Sequence, residues 1–216
     1  MRSVLVDVYH PPQRYGLIYT DPPWPQKKGG FCKCRPNMKS RELDYPVMEL
    51  SEIVQFHSQV LPILAEKKHN VFMWVIEKYL IQAEEFMNRL GYIRHARIIW
   101  NKRTGVAPAF TVRFTCEYLL WFYNPGNMLM PIPETRGKYA TYLEEVPKRH
   151  SQKPECAYRM LEEMFAGTDK IELFARNTRP TWDCWGNDAE IRIGGDNSAA
   201  GKTISEEKER YPDASP

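Results

Sequence analysis

Asp21-Pro22-Pro23-Trp24 is the stretch of this chain best suited to do chemistry. Proline fixes its own φ, has no N–H, and pushes the residue before it toward extended geometry. Asp21 and Pro22 are therefore both held extended, presenting a carboxylate and carbonyl oxygens with few competing donors. They form a small cup of hydrogen-bond acceptors, and Trp24 offers a flat apolar face beside it. The complementary ligand is a planar group carrying an NH2, such as the exocyclic amine of a base. The same tetrapeptide also reads as a plain turn, since Asp-Pro and Pro-Pro are common loop punctuation. The rest of the chain has to decide between the two.

Three further groups carry charge in suggestive places. Pro25 to Arg41 holds Lys27, Lys28, Lys33, Arg35, Lys39 and Arg41, with no acid before Glu42. A mobile basic loop directly after the acceptor cup suits phosphate binding, because loops on a rigid scaffold often carry binding. Lys102 and Arg103 lie in a basic turn at the end of an apolar run and are a second candidate for nucleic-acid contact. Lys153 precedes Pro154 and Glu155, which suit the first turn of a helix, so Lys153 stands where an anionic group is welcome. Spacing alone favours an ordinary surface lysine. Cys32 and Cys34 form a lone pair. A zinc site needs four ligands at recognisable spacings, so no metal is expected.

The composition bounds the class. A chain of 216 residues makes one domain, with 43% hydrophobic and 12% aromatic residues to build a core. No apolar run approaches membrane-span length, and an acid at Asp7 interrupts the start too early for a signal peptide. Five cysteines, an odd number and mostly scattered, suit reduced thiols in a cytoplasm. The net charge of only +3 means that nucleic-acid contact must come from local patches.

Elements to position these groups follow from periodicity. Strands are predicted at Val4–Val8, Leu17–Thr20, Asn70–Val75, Ala96–Trp100, Cys116–Tyr123 and Lys170–Arg176. Helices are predicted from an N-cap at Ser51 through Leu64, from Tyr79 to a stop at Gly91, and from Pro154 to Gly167. Asn127–Lys148 and Arg179–Asn187 read as irregular, with Trp182 and Trp185 as packing anchors. Strands alternating with helices predict an α/β domain with a mostly parallel sheet flanked by helices. Residues 1–193 form this domain, and 194–216, poor in apolar residues, form a flexible tail.

The order of several motifs resembles one family. Asp21-Pro22-Pro23-Trp24, Tyr45-Pro46-Val47-Met48, Phe72-Met73-Trp74-Val75, Gly91-Tyr92, Ile98-Ile99-Trp100-Asn101-Lys102, His150-Ser151-Gln152-Lys153-Pro154, Ile171-Glu172-Leu173-Phe174-Ala175-Arg176 and Trp185-Gly186-Asn187 are similar, in this order, to the MT-A (seventy-kilodalton type) adenine-N(6) methyltransferases. The details look like its short prokaryotic or phage branch.

The resemblance implies a Rossmann-like fold in circularly permuted order, using S-adenosylmethionine. It implies that Asp21, Pro22, Pro23 and Trp24 hold the target adenine. Lys153 corresponds to the lysine near the donor's carboxylate, and Glu172, Arg176 and Asn187 to residues around its ribose and adenine. Asp7 corresponds to an acid near the donor adenine. Asn177 and Thr178 receive no role, because eukaryotic members carry two more residues before the following Pro-x-Trp. No G-x-G-x-x-G loop is present, so cofactor binding rests on the family pattern. The implied substrate is DNA, with RNA as the alternative, in a bacterial or phage-infected cytoplasm, with no membrane partner and a homodimer as one assembly. A non-catalytic nucleic-acid-binding partner of the same fold is the rival reading.

Overall fold

The structure is a computed structural model and describes residues 5–26, 47–106, 112–147 and 152–186. Its strands are β1 (Tyr15–Thr20), β2 (Ala65–Val75), β3 (Ile93–Val106), β4 (Phe114–Tyr123), β5 (Tyr142–Glu144), β6 (Lys170–Leu173) and β7 (Trp182–Trp185). Its helices are α1 (Leu50–Leu64), α2 (Leu80–Arg89) and α3 (Glu155–Met164). The strands form one sheet in the order β5-β3-β4-β2-β1-β6-β7. β4 runs antiparallel to both neighbours, and the other four pairings are parallel.

β1 is buried along its whole length, which fits its apolar sequence and its place between β2 and β6. Alternation divides the core between the two faces. Ile18, Val71, Met73, Leu120, Phe122 and Ile171 pack beneath α1 and α2. Leu17, Tyr19, Phe72, Trp74, Leu119 and Trp121 pack with α3 on the other side. The chain leaves β1 through α1 to reach β2 on one side, and enters β6 through α3 on the other. The boundary between β1 and β6 is therefore the switch point, outside whose carboxyl end ligands bind in open α/β sheets.

Several boundaries differ from the periodicity reading. Among the described residues of the predicted first strand, only Leu5 makes a bridge, to Cys184; without a continuous partner the segment turns away. α1 is capped by Glu49 rather than Ser51, and the Glu49 N–H donates to Glu52 Oε2 at 2.7 Å. β2 begins at Ala65, directly out of α1. The predicted basic turn at Asn101–Gly105 is a continuation of β3, with a register shift between Asn101 and Val106 and Arg103 at φ 58°. β6 stops at Leu173 because Phe174, at φ 62°, leaves the extended region. Two strands, β5 and β7, lie in stretches read as irregular. The partner strand supplies their order, and short segments carry little periodicity of their own.

β7 is fastened from both sides. Trp182 is fully buried, and its Nε1 donates to Glu162 Oε1 of α3 at 2.8 Å. Arg179 donates to Glu155 and Glu162, one helical face of α3, and lies 4.6 Å from the Tyr158 ring centroid. At the far end, a Cβ on Gly186 would lie 2.2 Å from the Ala175 carbonyl oxygen. The Trp-Gly-Asn motif needs glycine there because two backbones meet. Gly186→Ala should therefore cost about 1–3 kcal/mol in urea unfolding. A loss under about 0.5 kcal/mol would show that the approach is dispensable.

Candidate active site at the carboxyl end of the sheet

Asp21 follows the last residue of β1, and its N–H donates to Leu173 O of β6 at 3.3 Å. The two side chains at this strand end are held from opposite faces. Thr20 is fully buried against α1, where its Oγ1 lies 3.0 Å from His57 Nε2. His57 Nδ1 lies 2.7 Å from Ile53 O, so that nitrogen carries the proton and Nε2 accepts from Thr20. Asp21 Oδ1 lies 2.9 Å from Lys153 Nζ, on the approach to α3. The strand end is thus fixed before the turn begins.

The turn is also tied down. The Trp24 N–H donates to Pro22 O at 2.8 Å, and the Met48 N–H to Pro23 O at 3.1 Å. Pro22 O keeps one lone pair for another donor. Trp24 is not the open face that its sequence position suggests. Its side chain is 4% exposed, stacks on Tyr79 at 5.4 Å, and donates from Nε1 to Trp74 O at 2.8 Å. A large aromatic after two prolines gains more from burial than from waiting for a ligand.

Beside the turn runs a chain of alternating charges. Lys153 Nζ bridges Asp21 and Glu117, at 2.9 and 2.8 Å, and Glu117 in turn accepts from Lys102 at 2.9 Å. Burial would raise Glu117, but Lys153 and Lys102 together hold its carboxyl down to about 2. Burial pushes Asp21 up; Lys153 opposes this, and the nearby Glu117 charge adds to it. Lys153 stays protonated despite burial because two carboxylates face it. Lys153 also lies 5.2 Å from the Trp74 ring centroid.

Glu117 escaped the sequence reading. The signal was there: a single acid in the otherwise apolar and aromatic run Cys116–Tyr123, and glutamate is rarely buried without a partner.

This arrangement revises two assignments. Lys102 and Arg103 are not a free basic turn. Lys102 is held by Glu117, and Arg103 by Glu144 of β5, because β3 continues through them instead of ending. The α3 N-terminus is also not open to an external anion. Glu145 occupies it, accepting the Glu155 and Cys156 N–H groups at 2.8 and 3.0 Å. Lys153 enters the site as a buried ion-pair partner rather than as part of a helix-end anion cradle.

Arg176 and Glu172 lie near Asp21 at the same end. Arg176 lies near enough to Asp21 to favour its ionised form. Glu172 is paired in register with Tyr19 of β1 and accepts from Tyr158 at 2.8 Å. Burial pushes its carboxyl up to about 7, and the Asp21 charge adds to this. Asp7 sits next to the β7 edge, since the preceding Val6 N–H donates to Cys184 O at 3.0 Å. Its carboxylate is exposed and accepts from the Tyr9 N–H at 2.9 Å. Asn187, Lys27, Lys28, Lys33 and Arg35 lie outside the described residues.

The profile of the MT-A70 family matches residues 15–188. The chain belongs to the MT-A70 family. It is an S-adenosylmethionine-dependent methyltransferase. The chain is 27% identical over 190 residues to the Type II methyltransferase M.MunI of Mycoplasma sp, covering 82% of this chain and 78% of that protein. It is 25% identical over 207 residues to the N(6)-adenosine-methyltransferase catalytic subunit METTL3 of Homo sapiens, covering 93% of this chain and 32% of that protein. A putative N(6)-adenosine-methyltransferase of Medicago truncatula is 29% identical over 182 residues, covering 81% of this chain and 26% of that protein. The chain thus spans about a third or less of the adenosine methyltransferases it matches.

The residues at this end fit the donor. Lys153, although it already bridges Asp21 and Glu117, is of the charge that a carboxylate needs, Glu172 is a buried acceptor of the kind that a hydroxyl needs, and a group of acids suits a sulfonium cation.

Two outcomes follow from the buried charges. Lys153→Met leaves Asp21 without this ion-pair partner and Glu117 with Lys102 alone, and should destabilise by about 3 kcal/mol. In a Glu117→Gln background the same change should cost clearly less, a coupling that a double-mutant cycle in urea measures. Additive losses would mean that the two side chains do not share their charge.

The His57 site should make stability depend on pH. Burial pushes His57 down to about 4 from the ordinary 6.5, so its contribution is whole above 6.5 and is lost as pH falls toward 4. Glu172 works the other way: its contribution is whole below 4.5 and is lost as pH rises through about 7. Comparison with His57→Gln cancels Glu172. The stability gap between wild type and variant should shrink by about 3 kcal/mol on acidification. A constant gap would show that His57 does not titrate in this range.

Proposed function

We propose that this chain transfers the methyl group of S-adenosylmethionine to the exocyclic amine of adenine in DNA. The observation that carries the reading is the acceptor cup. Asp21 stands at the end of β1 with the Pro22 carbonyl beside it, held by Lys153. The likeness to N(6)-adenosine-methyltransferases supports the adenine amine, and the likeness to a Type II methyltransferase over most of its length supports DNA.

The adenine amine is a poor nucleophile because its lone pair is delocalised into the ring. Asp21 and the second lone pair of the Pro22 carbonyl each accept one N–H. This favours a more pyramidal nitrogen and stabilises the positive charge that develops on it. The bound donor supplies an electrophilic methyl group. Lys153, Glu172 and Arg176 orient it, and alignment with the amine lowers the barrier by proximity. A base in a duplex has to be flipped out to reach the cup, and a single strand avoids that cost. We assign phosphate contacts to Lys27, Lys28, Lys33 and Arg35, which follow the cup in sequence. The intact pairing of Asp21 with Lys153 disfavours a non-catalytic scaffold.

The test is transfer of labelled methyl from the donor to matched DNA and RNA oligonucleotides, single- and double-stranded, at one salt concentration. Nucleoside chromatography identifies the product. N(6)-methyladenine in DNA is expected, and Asp21→Ala should lower the rate about a hundredfold or more while S-adenosylhomocysteine still binds. A clear preference for RNA would overturn the substrate, and methylation of another base would overturn the reaction.

A further inference from the structure

Three of the four residues from Pro22 to Pro25 are prolines and have no N–H. A segment of this kind cannot be pinned by an ordinary backbone ladder. Its position depends on what donates to its carbonyls and on the side chain of Trp24. Pro22 O accepts the Trp24 N–H and Pro23 O accepts the Met48 N–H. Pro25 O accepts a side-chain donor, the Tyr79 hydroxyl, at 2.7 Å.

Tyr79 does more than fill the core stripe that helical spacing assigns to it. It follows the end of β2, caps α2, and is 7% exposed. Its ring stacks on the Trp24 indole, 17° from parallel, so one side chain holds both the indole and the backbone at the exit of the turn. Lys78 Nζ donates to the Tyr79 hydroxyl oxygen at 2.9 Å and lies 4.7 Å from the ring centroid. A cation donating into a phenol oxygen polarises its O–H and strengthens the bond it makes onward. The indole is meanwhile fixed to Trp74 O.

We propose that Tyr79 is a positioning residue for methyl transfer, latching the exit of the catalytic turn so that the Pro22 carbonyl stays aligned with the amine. This rests on the reading that the turn holds the adenine. The hydroxyl acts on geometry and not on affinity, because its hydrogen bonds among the described residues go to Pro25 O and Lys78 and not to Lys153 or Glu172.

The test uses the full chain and measures four quantities. These are the single-turnover transfer rate, KM for one adenine-containing DNA oligonucleotide, the dissociation constant for S-adenosylhomocysteine, and the urea midpoint. Tyr79→Phe keeps the stacked ring and removes the hydroxyl. It should lower the transfer rate about tenfold and leave the other three unchanged. Lys78→Met should give a smaller loss in the same quantity. An unchanged rate in Tyr79→Phe overturns the proposal, as does a parallel loss in rate, binding and midpoint, which would mark a merely structural contact. Asp21→Ala, run alongside, separates the two levels. If it remains active, the reading of the turn fails; if it is inactive while Tyr79→Phe is fully active, only the latch fails.

Discussion

The buried contact of Lys153 with Asp21 and Glu117 is the interaction on which the site depends. Removing charges from water is costly, and the cost is recovered only where partners and hydrogen bonds are complete. Here a cation at the entry to α3, an acid after β1 and an acid on β4 meet within 2.9 Å. No two of them are neighbours in sequence. Satisfying the lysine requires the sheet to be in register and α3 to be docked, so the charge chain reports on the whole fold.

The rest of the architecture keeps that meeting point fixed. Thr20 is drawn toward α1 by His57 while Asp21 is drawn toward α3 by Lys153, so the strand end is gripped from both faces. Arg179 and Trp182 tie the β6–β7 connection to α3 through Glu162, which keeps β6 against β1. Tyr19, Trp74, Tyr158 and Trp182 form an aromatic floor beneath the acids. Such a floor lowers the local dielectric and so sharpens every charge above it.

Glu172 shows what the same burial does to an acid without a cation bonded to it. Its carboxyl, pushed up to about 7, is a group whose charge a ligand can change. A donor whose hydroxyls bond to the ionised form would draw a proton off it, in keeping with the clustering of perturbed groups at functional sites. Asp21 and Glu117 are both acids and both buried, yet they lie on opposite sides of their ordinary range. The difference is that Glu117 has two lysines and Asp21 shares one.

The sequence by itself determined the α/β class, most elements of length, and the Asp-Pro-Pro-Trp turn, because apolar periodicity and proline geometry are local properties. The motif order also pointed to the family. Tertiary structure decided what the local pattern could not encode. Lys102 and Arg103 looked like a free basic turn until β3 was seen to run through them to Glu117 and Glu144. Trp24 looked like an open face until Tyr79 and Trp74 were seen to enclose it. Lys153 looked like part of an anion-binding helix end until Glu145 was seen in that position. Strands β5 and β7 were invisible because their order comes from the neighbouring strand rather than from their own residues. In each case the deciding partner is distant in sequence, and a charge or a ring has no fixed role until the fold brings that partner to it.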